Sequence, residues 1–179
     1  ASSISPDHQV ASDGAGSERI EIVRGPSTLI YGGAAIGGVV NILDGRIPDQ
    51  SPDGRWEGRV SSQVSSVDEG LSIGGRANVG VGPLVLHFDG VRRETDDYRI
   101  PAPAMSERLA NAEGLLREPT STQPNSASRL ESWGVGGSYI GDWGFAGLSY
   151  VDTRSTYGVV AEPTAFISLQ QRRYDLRGR

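Results

Sequence analysis

The sequence has no cysteine, one methionine and two histidines, His8 and His87, among 179 residues. Without cysteine there is no disulfide, thiolate zinc site or thiol nucleophile, and the compartment stays open on that count. There is no Gly-x-Ser-x-Gly, no His-Glu-x-x-His, and no Walker lysine after the glycines of 32–38. Catalysis therefore has little support in the sequence. We expect neither an enzyme nor a cofactor. Positive charge is also short: 17 basic against 22 acidic residues give a net charge of −5, which argues against a nucleic-acid partner. No segment approaches the roughly 18 consecutive apolar residues of a spanning helix. The N-terminal ASSISPDHQV has neither the basic nor the apolar region of a signal peptide. What the chain does have is glycine, 25 residues of it, with only 36% hydrophobic residues. That combination leaves a β-rich soluble domain or the strands of a membrane barrel, which hide from hydropathy because they alternate.

Two zones follow along the chain. In the first, Glu18 to Arg24 sets Ile20 and Ile22 between charges, as a short strand does. Gly25-Pro26 stops it, about one helical turn follows over 27–31, and 36–43 reads as a second strand. In the second zone Trp56, Val60 and Val64, then Leu71, Ile73 and Val79, then Leu84, Leu86 and Phe88 alternate with polar residues. A loop over 94–128, holding Pro101, Pro103, Pro119 and Pro124, is long enough to be functional, with a short helix expected in 105–117. Strands then begin near Trp133 and Phe145, a second loop is expected over 155–165, and a sixth strand over 166–179. The tight turns at 80–83 and 141–144 fall on one side and the two loops on the other, as in outer-membrane barrels.

The residues Glu18-Arg19-Ile20-Glu21-Ile22-Val23-Arg24-Gly25-Pro26, with Leu29-Ile30-Tyr31-Gly32 and Ile36-Gly37-Gly38-Val39-Val40-Asn41-Ile42, resemble the last third of the plug of TonB-dependent outer-membrane receptors. Ser5-Pro6-Asp7-His8, Arg46-Ile47-Pro48, Asp97-Tyr98-Arg99-Ile100-Pro101 and Arg173-Tyr174-Asp175-Leu176 look like the subgroup that includes zinc-uptake receptors. The resemblance implies a mostly β fold: residues 1–48 as the C-terminal part of a plug, 49–55 as a linker, and 56–179 as the first six antiparallel strands of a 22-stranded transmembrane barrel. It also implies an outer-membrane location, lipid around the barrel, import of a scarce metal or metal-chelate nutrient, and an inner-membrane TonB complex as partner. No TonB box is visible, so the chain reads as an internal segment. A signal-transducing receptor of the same fold and a soluble β-sandwich that binds glycans are the alternatives.

Candidate site residues divide by zone. The resemblance suggests His8 at the plug apex as a ligand contact and Glu21 and Arg24 as plug–barrel charges. His87 shares a polar strand face with Asp89, so it lines the lumen or meets ligand. Asp96 and Asp97, beside Glu94, offer hard oxygen ligands for a cation. Glu162 is the only metal ligand in its loop, too little to hold zinc, so no metal site is expected. A barrel would turn Trp56, Val60, Leu84, Phe88, Trp133 and Tyr150 to lipid; a sandwich would bury them.

Overall fold

Alternating side chains dictate the architecture. A computed structural model describes residues 17–31, 38–114, 121–160 and 162–179. In the first zone β1 (Arg19–Val23) pairs antiparallel with β2 (Val39–Leu43), with a 3-10 turn over Pro26–Tyr31 between them. Thr28 closes that turn by donating from its hydroxyl and its amide to the Gly25 carbonyl. Residues 36 and 37 of the expected second strand, and His8, lie outside the described residues.

The second zone is one antiparallel meander: β3 (Trp56–Ser65), β4 (Gly70–Val81), β5 (Leu84–Thr95), β6 (Ser128–Gly141), β7 (Gly144–Val159) and β8 (Glu162–Gly178), each beside its sequence neighbours. The 80–83 and 141–144 turns join strands at one end. At the other end the 96–127 connection carries α1 (Glu107–Glu113), capped by Ser106 and ended by left-handed Gly114. This arm is tied to the β3–β4 turn by Arg99, whose amide donates to Val67 and whose guanidinium pairs with Glu69 at 2.5 Å. No helix among the described residues is long and apolar enough to cross a membrane, which leaves the strands to decide that question.

The loop expected over 155–165 is absent. β7 runs on to Val159 and β8 starts at Glu162, so Ser155, Thr156 and Tyr157 pair with Leu169, Ser168 and Ile167 inside a long hairpin. The ladder shifts register at Gly158/Val159. Asn125 holds this tip from outside: its amide lies 3.0 Å from the carbonyls of Val159 and Glu162 and 2.5 Å from that of Ala165.

The sheet is built inside out for a water-soluble protein. Register puts Trp56, Val60, Leu84, Phe88, Trp133 and Tyr150 on one face, together with Val64, Leu71, Leu148, Tyr174 and Leu176. That face is open: Val60 is 83% and Leu176 86% exposed. The opposite face buries polar groups, with His87 only 1% exposed and Ser138, Ser149, Thr153 and Ser155 all buried. No second sheet covers the apolar face among the described residues, so the sandwich alternative has no support here.

Candidate functional site

The polar face is buried because the segment after β2 lies across it. Asp44 to Asp49 crosses β5 to β8, and Arg46 is its anchor. Arg46 Nε and Nη2 each donate to Asp89 at 2.7 Å, a two-pronged pair, while Nη1 reaches Asp44 at 2.7 Å. Planar guanidinium and carboxylate match in just this way, giving direction as well as energy. Burial alone would lower the basicity of Arg46. The hydrogen bond and charge of Asp89, with Asp44 behind them, outweigh that and hold the guanidinium above its ordinary pKa. Both side chains of the pair are largely shielded, at 12% and 4% exposure.

Glycine makes room for this crossing. A Cβ at Gly136 would fall on the Arg46 carbonyl oxygen, and one at Gly134 would sit 2.5 Å from Arg46 Nε. At Gly147 a Cβ would meet Ile47 Cγ2 at 2.5 Å. The three glycines form a trough across β6 and β7 in which the backbone of 46–48 is seated. Ile47 is buried there, and the Ser138 hydroxyl donates to the Pro48 carbonyl. β8 closes the far side. Arg173 pairs with Asp44 and, at 2.8 Å, with Asp175, and Arg177 pairs with Asp49 at 3.2 Å.

His87 joins the clamp from the near side. Its Nδ1 is 2.6 Å from Asn78 Oδ1, and the Asn78 amide donates to Glu57 at 2.7 Å, which fixes which end of Asn78 faces the ring. Nε2 sits 3.3 Å from Asp89 Oδ2, within ion-pair distance but not aligned for a hydrogen bond. The chain Glu57–Asn78–His87–Asp89–Arg46 thus connects three strands of the sheet to the segment after β2.

The other residues singled out by sequence lie elsewhere. Glu21 pairs with Arg19 at 2.7 Å and accepts from Asn41 at 3.1 Å, within the β1–β2 hairpin. Arg24 is exposed just after β1. Asp97 accepts from the amides of Ser126 and Ala127 at 2.7 and 2.9 Å, tying down the long arm. Asp96 lines an open hollow of about 610 Å³ with Glu69, Glu94 and Arg129. Among the described residues no three His, Asp or Glu side chains converge as a metal site would require. The sequence marks Arg46-Ile47-Pro48 only as part of a resemblance; the seat of that run in a glycine trough leaves no periodicity to read. The glycines of 134–147 were the one available signal, because glycine in a strand marks close backbone approach.

The outward face has its own order. Trp133, Tyr150 and Tyr174 form a row with ring centres 5.3 and 4.9 Å apart. Charges begin immediately beyond it: Arg92 with Glu94 and Glu131, and Asp152 with Arg154 and Arg172. Tyr139 stacks on Trp143 at the opposite, short-turn end. The upper edge of the apolar zone slants across the hydrogen-bond rows, from Val64 on β3 to Tyr174 on β8. With ~3.4 Å per residue along strands and ~4.8 Å between them, that slant is roughly 40°. Barrel strands tilt by about 35–45° to the membrane normal. At this tilt the outward run Leu71 to Val81 rises about 26 Å, close to the roughly 25 Å apolar band of such barrels.

No protein-family model matches the chain. It is similar to the iron-regulated outer membrane virulence protein of Vibrio cholerae, 46% identical over 50 residues, which is 28% of this chain and 7% of that protein. It is similar also to the pesticin receptor of Yersinia pestis, 44% identical over 48 residues, 27% of this chain and 7% of the receptor. These relatives are outer-membrane proteins and receptors. The match thus covers a small part of each of them, 7% of their length. Neither is named for zinc, and the likeness to the zinc-uptake subgroup finds no support among them.

Proposed function

We propose that this chain is part of a TonB-dependent receptor of the bacterial outer membrane. Residues 1–48 are the end of its plug, 49–55 a linker and 56–179 the first six strands of a 22-stranded wall. One observation carries the reading: the apolar edge slants by the tilt of a barrel strand on one face, while on the other Arg46 seats the plug's last residues against a polar wall. A membrane barrel with an occupied lumen needs both. A soluble sandwich needs neither.

The cargo is a scarce metal nutrient carried as a chelate, with iron first because one relative is named for iron regulation. Transport is powered through the inner-membrane TonB complex, whose contact point is not in the sequence given. Asp96 and Asp97, on the long outer connection, and His8 and His87 are the residues assigned to the ligand path, while Glu21 and Arg24 are assigned to plug–wall contact. The test is uptake of radiolabelled ferric chelates by cells whose own receptors are deleted, with the full-length protein restored. Accumulation that stops when the inner membrane is de-energised supports the reading. Binding without accumulation would favour a signalling receptor, and neither binding nor accumulation of any chelate would sink the metal assignment.

A further inference from the structure

Next to the linker clamp lies an arginine pair that the clamp leaves without a carboxylate. Arg59 and Arg76 stand directly opposite one another in the β3–β4 ladder, on the inward face. Like charges in that position are destabilising by themselves. Neither has a hydrogen-bond or ion-pair partner among the described residues, whereas the inward Arg173 and Arg177 are both paired. Arg76 has an obvious candidate. Its partner in the β4–β5 ladder is Asp89, but both Asp89 oxygens are taken by Arg46, with His87 alongside. The nearby Glu57 is held by Asn78.

We propose that Arg59 and Arg76 form an anion-binding site on the inner wall for a small multivalent oxyanion, such as a polycarboxylate or phosphate, and that the site is open only while the Asp89 carboxylate is kept from Arg76, as Arg46 keeps it here. Two arginines opposite one another in the ladder can turn paired N–H donors toward a single oxyanion. When the segment 46–48 leaves the trough, Asp89 is released to its ladder neighbour Arg76, and the site closes by internal neutralisation. Seating of that segment and anion binding are therefore coupled, and each strengthens the other by the same factor. The site lies on the short-turn half of the wall, away from the outer connections, so it is separate from any capture of cargo at the mouth. The site rests on the transport reading only in being placed on a barrel wall, and a wall without it would still serve transport.

The experiment follows thermal unfolding of the full-length protein in detergent at low ionic strength, with citrate or inorganic phosphate added and sodium chloride matched for ionic strength as control. A ligand that binds only the folded state raises the melting temperature with its concentration. The wild type should respond to citrate or phosphate and not to chloride. Arg59→Gln and Arg76→Gln should each need at least tenfold more anion for the same rise. Arg46→Ala should lose the response, and Arg46→Ala combined with Asp89→Asn should regain it, since no carboxylate is then left to capture Arg76. An undiminished response in both glutamine variants, or none in the wild type, would overturn the site. An undiminished response in Arg46→Ala would overturn the coupling; if that variant does not fold, Arg46→Lys decides, because by loosening the grip on Asp89 it must weaken the response.

Discussion

All 17 basic residues of this protein are arginine, and at the residue scale that choice matters most at Arg46. Lysine in its place would keep the charge and lose the fork that grips both oxygens of Asp89. The pair is shielded enough that removing one partner strands a charge, which typically costs about 3–5 kcal/mol. We expect Arg46→Ala to lower stability by that order in chemical or thermal unfolding, and Arg46→Lys to recover only part of it. Gly136→Ala attacks the same contact through shape. Its methyl would displace the Arg46 carbonyl, so the expected effect is a loss of about 1–3 kcal/mol, the usual range for overpacking. A protease with a site engineered into the linker should then cut the variant faster than the wild type. Unchanged cutting would show that the segment 46–48 is not seated in the trough. His87 and Asp89 were legible in the sequence, because alternation places both on the polar face. Their partner was not, since nothing local in Asp44-Gly45-Arg46-Ile47-Pro48 announces which distant strand it will meet.

At the scale of elements, each strand carries its own depth gauge. Because the apolar zone slants by roughly 40°, residues in one hydrogen-bond row lie at different heights in the bilayer. Leu148 and Phe88 fall near mid-depth, whereas Ile73 approaches the upper edge. Leu148→Arg should therefore cost about 2–4 kcal/mol and Ile73→Arg about 0–1 kcal/mol in folding into lipid vesicles. Equal penalties at the two positions would contradict the tilt. The strands themselves were readable wherever one face is apolar. The β7–β8 tip was not, because beyond the bilayer neither face needs to be apolar and Gly158 and Pro163 look like loop residues. There the ladder is sustained by backbone pairing and by Asn125, which holds a left-handed φ of 59°. Asn125→Ala should fray the tip while leaving the membrane-embedded part intact, visible as faster amide exchange confined to residues near 158–166. Exchange unchanged there would mean that Asn125 is dispensable.

For the molecule as a whole, the exposed apolar face and the free outer edges of β3 and β8 set the terms of handling. A row of unpaired backbone groups recruits other strands, and a large open apolar surface recruits other molecules. Produced by itself, the 179-residue chain should be insoluble without detergent and polydisperse with it, as size-exclusion chromatography would report. A monodisperse, soluble monomer would be incompatible with the barrel reading.

The glycine trough reaches further than stability. On the proposed reading a recombinant could take its plug from one receptor and its wall from another. The two would not be interchangeable parts here, because the segment 46–48 and the glycines at 134, 136 and 147 are complementary surfaces with three whole strands between them in sequence. A chimera joined within the linker inherits one surface without the other. Joined beyond Gly147 it inherits both. The natural unit of exchange in this protein is thus the segment 44–49 together with the strands that receive it, and a lineage that shuffles such genes would be expected to place its crossovers accordingly.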